Sequence, residues 1–110
     1  MSRKKGNEAE EKAVLFLQEK GFEIIERNFY SYFGEIDIIA KKESVIHFIE
    51  VKSSSKNRLD PIYNITPSKL SKIIKTVSYF LVKTKTDMPY CIDAITVKGN
   101  SIQMYENITV

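Results

Sequence analysis

Residues 33–55, FGEIDIIAKKESVIHFIEVKSSS, hold two isoleucine- and valine-rich runs that each carry charge: Glu35 and Asp37 in the first, Glu50 and Lys52 in the second. Alternate residues of a strand face one side, so Asp37 shares a face with Glu35 and Ile39, and Glu50 and Lys52 share one with Ile46 and Phe48. A two-residue turn at Glu43 and Ser44 pairs Lys42 with Val45. Counting back from that pair sets Asp37 directly opposite Glu50, and a turn one residue earlier makes them diagonal neighbours on the same face. Opposed carboxylates repel, and partial burial adds a desolvation cost. A divalent cation removes both objections. Two carboxylates, a carbonyl and water suit Mg²⁺ or Mn²⁺, whereas the lack of clustered His and Cys in the sequence argues against structural zinc. Lys52 then stands where it can orient or help deprotonate a water and offset charge on a pentavalent phosphorus. In outline this is a phosphodiester-hydrolysis site. The competing reading is a solvated ion-pair cluster of little energetic value. Against it, Ile36, Ile38, Val45, Ile49 and Val51 make one apolar face, while Ile39, Ile46 and Phe48 make the other partly apolar, as in a central strand pair covered on both sides.

The elements that must position these residues read as αβββαββ. Asn7 to Lys20 is helical, with Asn7 as cap, Glu8, Glu10 and Glu11 in the first turn, and Gly21 as the stop. Projected at about 100° per residue, Glu10 falls among Ala13, Val14 and Leu17 on the inward side, while Glu8 and Glu11 fall outside it. The alternative for Glu10 is a modest macrodipole effect at the helix N-terminus. Strands follow at Phe22–Phe29, Glu35–Lys42 and Val45–Ser54. Lys56 to Thr66 reads as a loop, and Pro67 opens a second amphipathic helix on Leu70, Ile73, Ile74, Val77, Phe80 and Leu81, basic on its outer face. Residues 90–98 and 101–110 form two closing strands around a turn at Gly99 and Asn100. Interleaved helices and strands predict a mixed sheet with helices packed on its faces.

The 110 residues suit one domain, with residues 1–6 expected to be flexible. Hydrophobic residues are 43% and charged residues 28% of the chain, the balance of a folded protein. The net charge of +3 permits a nucleic-acid partner without demanding one. The single cysteine, Cys91, excludes a disulfide within the chain and argues against a Cys-based zinc site. No apolar run approaches the roughly 20 residues of a membrane span, and no signal-peptide pattern follows the basic N-terminus, so a cytoplasmic location is expected.

An inward helical glutamate, then Asp37, twelve residues, and EVK at Glu50 to Lys52 resemble the PD-(D/E)XK nuclease superfamily. The fuller pattern of a helix followed by RN at Arg27–Asn28, GEIDIIA at residues 34–40 and FIEVK at residues 48–52 is similar to the YraN-like family of small uncharacterised bacterial proteins. That family is regarded as related to archaeal Holliday junction resolvases, and the resemblance runs from about Gly6 to the end. It implies a restriction-endonuclease-like αβββαβ core, here with an additional C-terminal strand. It implies that Asp37 and Glu50 hold Mg²⁺ or Mn²⁺, that the Val51 carbonyl adds a ligand, that Lys52 acts on the water, and that Glu10 completes the acidic set. The implied function is metal-dependent endonuclease cleavage of branched or irregular DNA, leaving a 5′-phosphate and a 3′-hydroxyl, by a protein that can work as a homodimer. Two departures stand out. Ile36 precedes Asp37 where the motif has proline, and Ser53 to Ser55 follow EVK where relatives carry a basic residue, with Lys56 and Arg58 only later. Fold alone does not decide activity, so the alternatives are a nucleic-acid-binding module of the same fold with little catalysis and a purely structural interaction protein.

Other residues are assigned more loosely. His47 points opposite to Glu50 and reads as a packed sheet residue before a base. Lys69 begins the second helix, where superfamily members can carry an auxiliary group, and could meet a phosphate there; the alternative is a solvated lysine. Tyr30, Tyr32 and Phe33, beside Arg27, could stack on an unpaired base or cover the core. Asp93 is expected to be structural, hydrogen-bonded or paired with Arg27. Arg3, Lys4, Lys5, Lys56, Arg58, Lys69, Lys72 and Lys75 could surround the acidic pocket and engage phosphates. Glu35 shares the acidic face without an assigned role.

Overall fold

The computed structural model describes residues 3–54 and 65–109. In chain order its elements are α1 (Arg3–Glu19), β1 (Glu23–Ser31), β2 (Gly34–Lys42), β3 (Val45–Ser54), α2 (Pro67–Thr84), β4 (Tyr90–Lys98) and β5 (Ser101–Tyr105). The strands form one five-stranded sheet in the order β1-β2-β3-β4-β5. Only β3 and β4 run parallel, because α2 carries the chain across between them, and every other neighbouring pair is antiparallel. This is the expected mixed sheet flanked by helices, an αβββαβ core of the restriction-endonuclease-like kind with an extra C-terminal strand.

Each helix covers one sheet face. Ala9, Ala13, Val14 and Leu17 of α1 pack on Ile38, Ala40, Ile49, Ile95 and Val97. Ile73, Val77 and Phe80 of α2 pack on Phe29, Ile39, Ile46, Phe48 and Ile92. Phe48 is fully buried in the second layer, edge-on to Phe80 at 5.5 Å and Tyr90 at 5.8 Å between centroids. No helix among the described residues is long and apolar enough to cross a membrane.

Local chemistry accounts for most boundaries. Gly21 sits at φ 91 beyond α1, and Phe22 N–H closes the helix onto the Leu17 carbonyl at 3.0 Å, a C-terminal stop that a left-handed glycine permits. Thr66 caps α2 by accepting from Lys69 N–H, with Pro67 in the first turn as expected. Lys85 then ends α2 in the left-handed conformation. Two boundaries differ from expectation. α1 begins at Arg3 and not at the predicted Asn7 cap, since the basic residues before Gly6 are good helix formers and extend the helix. β5 stops at Tyr105 and not at the chain end, because Asn107 turns left-handed and donates its N–H to Asp93 Oδ1 at 2.8 Å, pulling the segment back toward β4. The predicted loop at residues 56–66 lies almost wholly outside the described residues.

Candidate functional site

The β2–β3 hairpin turns through Glu43 and Ser44, both left-handed, and pairs Lys42 with Val45. That is the two-residue turn geometry whose twist matches its strands. The register runs to Ile38 opposite Ile49, and one further step along it brings Asp37 opposite Glu50. The backbone ladder stops before that step. In its place the Asp37 carboxylate reaches across, and Val51 N–H donates to Asp37 Oδ2 at 2.8 Å. A strand residue points its N–H and C=O to the same side, so the Val51 carbonyl also faces β2 where the ladder has ended.

β1 is irregular at the same level. Phe29 pairs with Ile36 and Arg27 with Ile38, and between those pairs Asn28 adopts φ 53. Side-chain alternation breaks there on both strands: Ile38 lies in the α1 layer whereas Ile36 and Phe29 lie in the α2 layer. The expectation that Ile36 shares a face with Ile38 is thereby corrected: the alternation of β2 breaks at Asp37, level with the left-handed Asn28 of β1. Asparagine is among the few non-glycine residues that tolerate this conformation, and Asn28 uses its amide to donate to Glu10 Oε1 at 3.1 Å. Glu10 is thus turned inward from α1, as its place on the helix predicted. Asn28→Ala should cost about 1–3 kcal/mol through left-handed strain and the lost bond to a charged acceptor. Asn28→Gly, which loses only the bond, should cost less. Urea titrations of both variants check this, and equal losses would show that the backbone conformation is not what the asparagine serves.

The electrostatics of the acidic group follow from burial. Asp37 is pushed up to about 8, first by removal from water, then by the Glu50 and Glu10 charges, against the lowering effect of the Val51 N–H. Glu50 is also raised by burial, opposed chiefly by Lys52, whose Nζ lies 3.4 Å from Glu50 Oε2. Glu50 Oε1 is buried with no hydrogen-bond partner. Two partly buried carboxylates that share a hydrogen bond, with Glu50 Oε1 left without a partner, are a pair whose proton a hard divalent cation would replace. The residues present therefore fit Mg²⁺ or Mn²⁺.

Beside Glu50 a cleft of about 150 Å³ is lined by Phe33, Gly34, Glu35, Lys69, Lys72 and Ile73. The structure so brings Glu35, left unassigned by the sequence, to the same opening as Glu50, with two lysines of α2 on the rim. Tyr30 is half exposed on β1, paired in register with Glu35. Arg27 is engaged internally, its Nη1 2.9 Å from Glu11 Oε2 and its Nη2 4.0 Å from Glu10 Oε1. Lys56 and Arg58 lie outside the described residues.

Sequence reasoning missed one constellation. On the α1 face His47 stacks edge-on against Phe22 at 4.9 Å, and its Nδ1 lies 2.5 Å from Oδ2 of the fully buried Asp93. Cys91 Sγ donates to Asp93 Oδ1 at 3.3 Å and sits 3.2 Å from His47 Nδ1. Burial and the neighbouring Asp93 push the Cys91 thiol up to about 12. Asp93 is thus hydrogen-bonded by His47, Cys91 and Asn107, the first of the two roles expected for it, while Arg27 pairs with Glu10 and Glu11. The constellation overturns the argument from absent His and Cys clustering, since these side chains form a group that could hold a metal ion. The available signal was Cys-x-Asp, two residues on one strand face, but only the parallel β3–β4 register sets His47 beside Cys91 and Ile49 beside Asp93.

A protein-family model described as uncharacterised protein family UPF0102 matches residues 9–97. The chain is 54% identical over 110 residues to a UPF0102 protein of Wolinella succinogenes, covering all of both chains. It is 51% identical over 109 residues to a UPF0102 protein of Helicobacter hepaticus, covering 99% of this chain and 97% of that one. It is 56% identical over 107 residues to one of Helicobacter pylori strain J99, covering 97% and 92%.

Proposed function

The chain belongs to the uncharacterised protein family UPF0102, and from the geometry of its acidic cleft we propose that it is a divalent-metal-dependent endonuclease of the PD-(D/E)XK kind. One observation carries this reading: Asp37 and Glu50 are held against each other in a partly dehydrated setting that raises both, and Glu50 Oε1 is left without a partner. Such an arrangement costs stability unless a cation is there to use it.

Asp37, Glu50 and the Val51 carbonyl would hold Mg²⁺ or Mn²⁺. The bound ion supplies Lewis-acid polarisation of a phosphoryl oxygen and lowers the pKa of a water. Lys52, tethered to Glu50 Oε2, stands where it can orient the attacking water and offset negative charge building on phosphorus. Glu10, held by Asn28, adds acidic character behind Asp37 and can orient a further water. Lys69 and Lys72 on the cleft rim are positioned to take backbone phosphates. Branched or irregular DNA as the substrate rests on the resemblance to archaeal Holliday junction resolvases. A homodimer would present two such clefts to one junction.

Cleavage of a panel of linear, flapped and four-way DNA and RNA substrates with Mg²⁺ and Mn²⁺ tests this. Cleavage of the branched substrates with 5′-phosphate products is expected. Lys52→Ala should reduce the rate by about a hundredfold or more with little change in Mn²⁺ affinity by calorimetry. Binding of the panel without cleavage by the wild-type chain would replace the nuclease reading with that of a nucleic-acid-binding module.

A further inference from the structure

Away from the acidic cleft, three potential ligands of different chemistry converge on the α1 face of the sheet. His47 and Glu50 are three residues apart on β3, so they face opposite ways and lie about 10 Å apart along the strand. The convergence owes nothing to loops. Cys91 and Asp93 alternate onto one face of β4, and the parallel register sets His47 directly beside Cys91. The imidazole Nδ1, the thiol Sγ and a carboxylate oxygen all lie within 4.8 Å of one another.

We propose that His47, Cys91 and Asp93 form a second metal site, taking Zn²⁺ or a similar thiophilic divalent cation, separate from the oxygen-only Asp37–Glu50 centre.

The donor set decides the class of metal. One nitrogen, one sulfur and one carboxylate oxygen match zinc's borderline softness, whereas Mg²⁺ takes oxygen ligands alone. The surroundings are those of a supported site. Asn107 N–H holds Asp93 Oδ1 at 2.8 Å, leaving Oδ2 toward His47, and the Phe22 edge fixes the imidazole plane. Such partners commonly orient metal ligands. His47 Nδ1 lies 2.5 Å from Asp93 Oδ2 and 3.2 Å from Cys91 Sγ, both shorter than the roughly 3.3–3.8 Å expected around a tetrahedral ion with bonds of about 2.0–2.3 Å. Widening the His47–Asp93 contact by about 1 Å reaches that range, and binding displaces the protons the three groups now share. His47 also lines a cleft of about 610 Å³ with Phe16, Phe22, Glu43, Met104 and Glu106, so one of the three ligands borders open space. Because Asp93 also anchors Asn107, an ion here would tie β3, β4 and the residues after β5 into one unit.

The inference stands whether or not the acidic cleft cleaves anything, so the test silences that cleft. In the Asp37→Asn/Glu50→Gln protein, made metal-free by dialysis, Co²⁺ should bind one per chain and give visible d–d bands with a near-ultraviolet thiolate charge-transfer band. Zn²⁺ should displace it and raise the thermal midpoint. Cys91→Ser in the same background should abolish the charge-transfer band and weaken Zn²⁺ binding at least about tenfold. His47→Gln should weaken Zn²⁺ equally, with circular dichroism confirming that each variant is folded. Absence of the charge-transfer band and of Zn²⁺ heat in the double variant, or Zn²⁺ binding that Cys91→Ser and His47→Gln leave unchanged, overturns the proposal.

Discussion

Asp37→Asn is expected to bring Mn²⁺-dependent cleavage down by about a hundredfold or more while leaving the fold intact. The substitution keeps an oxygen that can accept from Val51 N–H, so the contact that substitutes for the missing ladder step survives. What it removes is the negative charge opposite Glu50, and with it the reason for a divalent cation to sit there. Alanine at the same position would also orphan the Val51 N–H, which is why the asparagine variant isolates charge from structure. The readout is nicking of the best substrate from the panel, with calorimetry of Mn²⁺ alongside. Cleavage at the wild-type rate by Asp37→Asn would place the chemistry elsewhere in the molecule.

The second large effect concerns the protein without metal. In the folded chain Asp37 titrates near 8 instead of its ordinary 3.8. The folded state therefore binds more protons than the unfolded chain between those values, and the slope of stability against pH is negative. Stability in EDTA should be greatest near pH 4–5, decline as pH rises, and level off above about 8, where Asp37 has ionised in both states. Glu50, also raised by burial, pulls in the same direction, while Lys52 beside it opposes. Allowing for relaxation and for proton sharing between the two carboxylates, the decline should be about 2–4 kcal/mol. Urea midpoints from pH 4.5 to 9 measure it. Asp37→Asn should flatten the profile and exceed the wild type at pH 8.5, and Mn²⁺ added to the wild type at that pH should restore the loss. A flat wild-type profile, or a less stable Asp37→Asn at pH 8.5, would contradict the burial and charge repulsion assigned to this pair.

These two results bear on one arrangement by different means. Loss of cleavage depends on a substrate being found, whereas the pH profile depends only on the fold. Should the profile appear and the panel stay negative, the acidic centre would still be real and the binding-module reading would take over. The zinc experiment is independent of both, since it is read in a chain whose acidic centre has been neutralised.

The hairpin was legible from the residues alone because its register is a local matter. Counting from either of the two possible turns brings Asp37 beside Glu50, and the structure selects the turn at Glu43 and Ser44 that pairs Lys42 with Val45. Glu10 was legible for a similar reason, since helical periodicity alone turns it inward. The face of Ile36 was not. The alternation of its strand breaks at Asp37, level with the left-handed Asn28 of the neighbouring strand, and no local pattern of β2 signals that break.

The sequence by itself determined the element order, the two covered faces of the sheet, and the nearness of Asp37 to Glu50, because each rests on periodicity or on a short turn. Only the tertiary structure decided what Asp93 meets. Its partner His47 lies 46 residues away, and they are joined through a parallel pairing that the helix α2 makes possible but whose register no local pattern encodes. Parallel neighbours share no turn from which to count. Their alignment is settled by packing of α2 and α1 on opposite faces of the sheet, and with it came the His47, Cys91 and Asp93 cluster.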